Sequence, residues 1–131
     1  IYDFCESNNL LAIYNNASVI VFAVSSGEVI NSFVNNSRVF NLKFSIDGSI
    51  LIVIDEENAT QYDTKTWQNL GNFKKYDNNI KAIIANKEYA YALVEQEKWF
   101  DFSSADYLLF KWSLRSKRLL SNWLINDAST T

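Results

Sequence analysis

The chain has no histidine, no proline and no methionine, a single cysteine and three glycines in 131 residues. Each absence closes a route. Without histidine, a Ser-His-Asp triad, a Cys-His pair and an imidazole metal site cannot be assembled from these residues. Cys5 has no second thiol to pair with, so no internal disulfide forms and an oxidising compartment gains no support. Its position beside Phe4 in an apolar run suits a small buried hydrophobe. Gly27, Gly48 and Gly71 stand apart from one another, which leaves no glycine-rich phosphate loop. The lack of proline removes any rigid linker. No apolar run reaches ~18 residues, and the N-terminus lacks a basic leader region, so the expectations are no membrane contact and an intracellular location.

What the chain does have is apolar content of 48% and 15% aromatics, enough for a packed core and too much for disorder. Net charge is −3, but residues 1–63 carry eight acids against two bases while residues 64–131 carry ten bases against seven acids. The hydrophobic residues fall in short runs broken by turn residues, with no sustained helical period. Val39–Phe44 is one such run, stopped by the hairpin-forming pair Asp47-Gly48. Ser49–Ile54 (SILIVI) follows, too continuous for a half-exposed strand and suited to burial on both faces. Ala59–Asp63, a turn at Thr64–Trp67 and Gln68–Phe73 complete four strands.

The unit repeats. Phe4, Leu11, Phe22 and Phe33 match Phe44, Leu51, Tyr62 and Phe73 at an offset of 40 residues, and Ile84 and Tyr91 continue the first two positions. The end of the third unit is ten residues later, at Trp112 and Trp123. In every unit the aromatics of the third and fourth strands are 11 apart: Phe22/Phe33, Tyr62/Phe73, Trp112/Trp123. Asn8-Asn9 and Asn15-Asn16 take turn positions where glycine is usual, since asparagine tolerates the left-handed region. A four-stranded repeat of about 40 residues is the signature of a propeller blade.

Over nearly its whole length the chain resembles the WD40-like β-propellers, with FAVSSGEVINSF, QYDTKTWQNLGNF and KWSLRSKRLLSNW similar to that family's third strand, turn and fourth strand. The repeats are degenerate, for no unit keeps a Trp-Asp pair and the histidine of typical repeats is absent. The resemblance implies an all-β fold: a β-propeller segment of about three four-stranded antiparallel blades, near residues 1–34, 35–76 and 77–126. Closed propellers have ~4–8 blades, so the remaining blades are expected from the parent chain or from a partner.

Candidate sites are few. Glu95–Asp106, longer by about ten residues than its counterparts, holds Trp99, Phe100 and Phe102. The resemblance implies that this loop lies on the face where partners bind, which makes the three aromatics candidate anchors for other protein subunits. The alternative is a longer hairpin whose aromatics pack on a neighbouring blade. Arg115, Lys117 and Arg118 form a basic hairpin with Lys111 nearby, a candidate RNA contact. The pI of about 4.9 opposes a dedicated nucleic-acid domain. Asp55-Glu56-Glu57 could offer oxygens to calcium but lacks the ligand spacing of a known loop. No catalytic residue, cofactor or metal site is expected. The reading is a non-catalytic scaffold of an intracellular multiprotein complex, with a ribonucleoprotein subunit as the competing class.

Overall fold

The structure, a computed structural model, describes residues 1–74, 80–96 and 106–126. Among these residues twelve strands form three antiparallel sheets of four, and each sheet is built from consecutive strands. The first sheet holds β1 (Tyr2–Cys5), β2 (Leu10–Asn15), β3 (Ser18–Ala23) and β4 (Val29–Val34). The second holds β5 (Val39–Phe44), β6 (Ile50–Asp55), β7 (Asn58–Asp63) and β8 (Asn69–Lys74). The third holds β9 (Ile80–Ala85), β10 (Tyr89–Gln96), β11 (Asp106–Ser113) and β12 (Arg118–Asn126). No helix occurs among the described residues.

The sheets stack face to face, which accounts for the pattern of burial. All six residues of β6 are buried, because β6 lies in the middle sheet with a neighbour on each side. Leu51 and Val53 point into a core shared with Cys5, Ala12, Val19 and Val21 of the first sheet. Ile50, Ile52 and Ile54 point the other way, into a core shared with Ile83, Ala90, Ala92, Phe110 and Trp112 of the third. The continuous apolar run is therefore the mark of the central strand of a sandwiched sheet. Cys5 is buried as expected, at 5% exposure.

The first strands of the sheets lie side by side and are tied across the junctions. The Phe44 amide donates to the Asp3 carboxylate at 2.8 Å, and the Ile46 amide donates to the Ala85 carbonyl at 2.8 Å. The asparagine turns adopt the left-handed conformation anticipated for them, with φ of 58° at Asn9 and 49° at Asn16. The hairpins joining the third and fourth strands share one geometry. Gly27, Trp67 and Lys117 all have positive φ (74°, 60° and 63°) and each donates its amide to the carbonyl four residues back.

One equivalence is corrected. Ile84 and Tyr91 do not continue the positions of Phe44 and Leu51. Phe44 pairs with Leu51 across six intervening residues, whereas Ala85 pairs with Ala90 across four. The shorter hairpin shifts each strand by one residue, and a one-residue shift turns every side chain to the other face. Ala85 and Ala90 thus face the second sheet, while Ile84 is 51% exposed on the opposite side.

Candidate functional site

The conserved spacing of aromatics within the chain has a physical basis at the sheet junctions. Phe33 on β4 meets Tyr62 on β7 of the next sheet, with ring centroids 4.5 Å apart. Phe73 on β8 meets Trp112 on β11 in the same way, at 5.1 Å. The fourth-strand aromatic of one sheet therefore clasps the third-strand aromatic of the next, in tilted geometries favoured by ring quadrupoles. Phe22 and Trp123 occupy the corresponding positions at the two ends, and neither has a ring partner among the described residues.

The end faces are correspondingly open. Phe4 is 48% exposed where its counterpart Phe44 is 3% exposed, and Trp123 is 46% exposed where its counterpart Phe73 is 3% exposed. Cross-strand pairing puts Tyr91 beside Lys111 and Leu93 beside Leu109 and Trp123 on the open face of the third sheet. Lys111 Nζ sits 4.3 Å from the ring centroid of Tyr89 and 5.6 Å from that of Tyr91, a cation–π arrangement.

The basic residues singled out from sequence therefore separate into two locations. Lys111 belongs to the open sheet face, away from the β11–β12 hairpin. Arg115 and Arg118 are exposed at that hairpin, and Lys117 is half-buried, with its ammonium donating to the Leu114 carbonyl. Leu114 anchors the hairpin: it is 2% exposed, and its amide donates to the Glu88 carbonyl at 2.8 Å. Arg115 and Lys117 line a cavity of about 410 Å³ between the second and third sheets, with Ile50, Gln61, Leu70 and Leu114 as further walls and Lys87 and Glu88 at its edge. Trp99, Phe100 and Phe102 lie outside the described residues.

Gln61 went unnoticed in the sequence reading. It is 1% exposed and its Nε2 has no hydrogen-bond partner. A signal was present, since the 40-residue offset sets Gln61 on the position of Val21, so an amide occupies an apolar slot.

The acidic run Asp55-Glu56-Glu57 is a turn. Asp55 Oδ1 accepts the amides of Glu57 and Asn58 at 2.9 Å each, and its Oδ2 accepts Asn35 Nδ2 at 3.0 Å, while Glu56 and Glu57 are exposed. No cluster of three His, Cys, Asp or Glu side chains suited to a metal ion occurs among the described residues. No helix there is long and apolar enough to cross a membrane.

Two hairpin aspartates carry a pH signature. Asp47 accepts from the hydroxyls of Ser45 and Ser49 (2.7 and 2.8 Å) and from the Ser49 amide (3.1 Å), led by the Ser45 bond in holding its carboxyl below the ordinary value of 3.8. Asp63 accepts the amides of Thr66 and Lys65 (3.0 and 2.8 Å), which lower its pKa likewise. A pKa lower in the folded state than in the unfolded one gives stability that is present above the unfolded value and lost as pH falls through the folded value. Asp63→Asn should therefore destabilise the chain more at pH 7 than at pH 3, read as the shift in urea midpoint at the two pH values. An equal shift at both would show that its charge contributes nothing. Burial, helped by the Asp55 charge, pushes the Tyr62 phenol up.

Comparison with known proteins places this geometry. No protein-family model matches the chain, and no curated protein matches it in sequence. Solved structures match it in fold. A chain of the mitotic checkpoint complex aligns with a TM-score of 0.72 at 17% identity, over 93% of this chain and 37% of that one. Hydrazine synthase from Kuenenia stuttgartiensis aligns at 0.71 and 15% identity, over 96% and 37%. The WD40 domain of Pan2 from Neurospora crassa aligns at 0.66 and 11% identity, over 92% and 38%. The fold is thus a WD40-like β-propeller segment of three four-stranded antiparallel blades. The chain spans well under half the length of each of these solved chains.

Proposed function

We propose that this chain is a non-catalytic platform for protein–protein contact within an intracellular multiprotein assembly, completed by further blades from its own parent chain or from a partner. The observation that carries the reading is the pair of half-made clasps. Phe22 and Trp123 sit where a neighbouring blade buries its aromatic, and the faces around them are apolar and open. Repeat units bury those faces only against one another. Blade burial then holds the backbone rigid, so that loops and rims bind with little ordering cost. The absence of histidine and the buried, singly occurring thiol support a role without catalysis.

The test is a tagged pull-down of the full chain, with and without nuclease, read by mass spectrometry. Proteins retained at stoichiometric levels after nuclease are the expected result. Partners lost on nuclease treatment would replace the platform by a ribonucleoprotein role, and recovery of the protein alone would overturn both.

A further inference from the structure

The open face of the third blade holds a full charge at a slot that the other two blades fill with neutral side chains. Val19, Ala59 and Leu109 pair with the fourth-strand aromatics Phe33, Phe73 and Trp123. Two residues further along each third strand stand Val21, Gln61 and Lys111, which therefore share one slot on the face that a blade turns to the next. Under a covering blade the slot is closed, with Val21 0% and Gln61 1% exposed. Lys111 is already half-buried, with its ammonium over the rings of Tyr89 and Tyr91. A blade laid over it in the same way would remove the remaining water from the charge. Lysine is almost never fully buried unless paired, because the desolvation of an ammonium exceeds what neutral neighbours return. No carboxylate pairs with Lys111 among the described residues; Glu95, on the same face, is held by Lys81 at 3.1 Å.

The first blade of a second copy matches this face in shape, since its Phe22 lacks a ring partner among the described residues just as Trp123 does. It does not match in charge. Alternation sets Tyr2, Phe4, Leu11, Ile13, Ile20 and Phe22 on its outward side, and no strand residue on that side is charged. Asp3 points the other way, accepting the Phe44 amide and lying 3.5 Å from Lys43 Nζ.

We propose that Lys111 determines what covers the third blade. It accepts a partner's β-blade whose apolar face brings an aspartate or glutamate to the ammonium, and it turns away a second copy of this chain. The inference rests on the platform reading and gives the missing neighbour a chemistry: an aromatic for Trp123 and a carboxylate for Lys111. Ring contact and apolar burial supply the attraction. The charge supplies the discrimination, because an ammonium buried against a face without an acid opposes the wrong pairing.

The experiment is sedimentation velocity on the purified 131-residue chain, with urea midpoints to confirm that each variant is folded. Wild type should stay monomeric at high micromolar concentration. Lys111→Leu should self-associate at least roughly tenfold more tightly, and adding Trp123→Asp should return it to monomer. Lys111→Arg keeps the charge and should stay monomeric. Leu11→Glu places a carboxylate on the first blade and should associate through Lys111, whereas Leu11→Glu/Lys111→Leu should not. Association of wild type through Trp123, a folded Lys111→Leu that stays monomeric, or a folded Leu11→Glu that stays monomeric would each overturn the inference. If Lys111→Leu fails to fold, the Leu11→Glu arm decides alone. The two proposals fail separately. Lys111→Glu should lose the covering partner from the pull-down, and a pull-down unchanged by it would remove the carboxylate contact and leave the platform. An empty wild-type pull-down would remove the platform, with sedimentation still deciding the role of Lys111.

Discussion

Trp112→Ala is expected to lower stability by about 3–5 kcal/mol, the range for emptying an aromatic core position. Trp112 is 2% exposed, packs 5.1 Å from Phe73 across the junction and 5.5 Å from Phe110 on its own strand, and belongs to the core that joins the second and third blades. Alanine would leave a cavity between two sheets whose backbones are fixed by their own ladders, so collapse would be partial. Its indole Nε1 has no hydrogen-bond partner. Trp112→Phe therefore keeps the clasp while removing a buried donor, and should cost far less than alanine. Urea denaturation followed by far-ultraviolet circular dichroism measures both variants. A phenylalanine variant as unstable as the alanine one would show that the ring contact with Phe73 is not the source of the stability. Trp123 extends the argument to the open face. In the 131-residue chain alone, Trp123→Ala should shift the midpoint little, since the ring is 46% exposed. In a completed propeller it should cost as much as Trp112→Ala, because a third-strand aromatic would then lie against it.

Gly48→Ala is expected to be the other severe change, at about 2–3 kcal/mol from two sources. Gly48 has φ of +76°, a conformation that costs an L-residue roughly 1–2 kcal/mol. A Cβ there would also stand 2.6 Å from Asn8 Nδ2, which at present donates to the Gly48 carbonyl at 2.7 Å. Asn8 would have to move, and with it a hydrogen bond linking the first hairpins of two adjacent blades, itself about 1 kcal/mol. The double variant Asn8→Ala/Gly48→Ala separates the sources. It should be less destabilised than the sum of the two single changes, since removing the Asn8 amide abolishes the overlap. Strict additivity in the midpoints would mean that the overlap is relieved without loss and that the φ penalty alone acts.

The architecture was legible in the sequence because its strongest signals are local. The hairpin pair Asp47-Gly48, the asparagine turns and the two-faced apolar run of β6 each depend on a few neighbouring residues. The 11-residue aromatic spacing was visible too, although its cause lies between sheets. The third unit was harder. Its first hairpin is two residues shorter, so counting by 40 set Ile84 and Tyr91 on the wrong face, and only the pairing of Ala85 with Ala90 reveals the shift. The site was less legible than the fold. Arg115 and Lys117 stood out by charge, but the cavity also needs Gln61 and Ile50 from another blade, over 50 residues earlier in the chain. Lys111 looked like part of the same basic cluster because strand alternation is invisible in a count of charges; the ladder turns it to the other side.

The clasp has a consequence for how such a chain grows. Each blade carries an acceptor ring on its third strand and a donor ring on its fourth, so each is complementary to a copy of itself. A duplicated blade inserted between two others would find both of its junctions already provided for, whatever its loops contain. Substitutions at the rim are then free to accumulate in one copy without disturbing the stacking of the next. The mixture of Phe, Tyr and Trp at equivalent clasp positions, set beside the very different turn and loop residues of the three blades, is the trace that such a self-matching tile would leave.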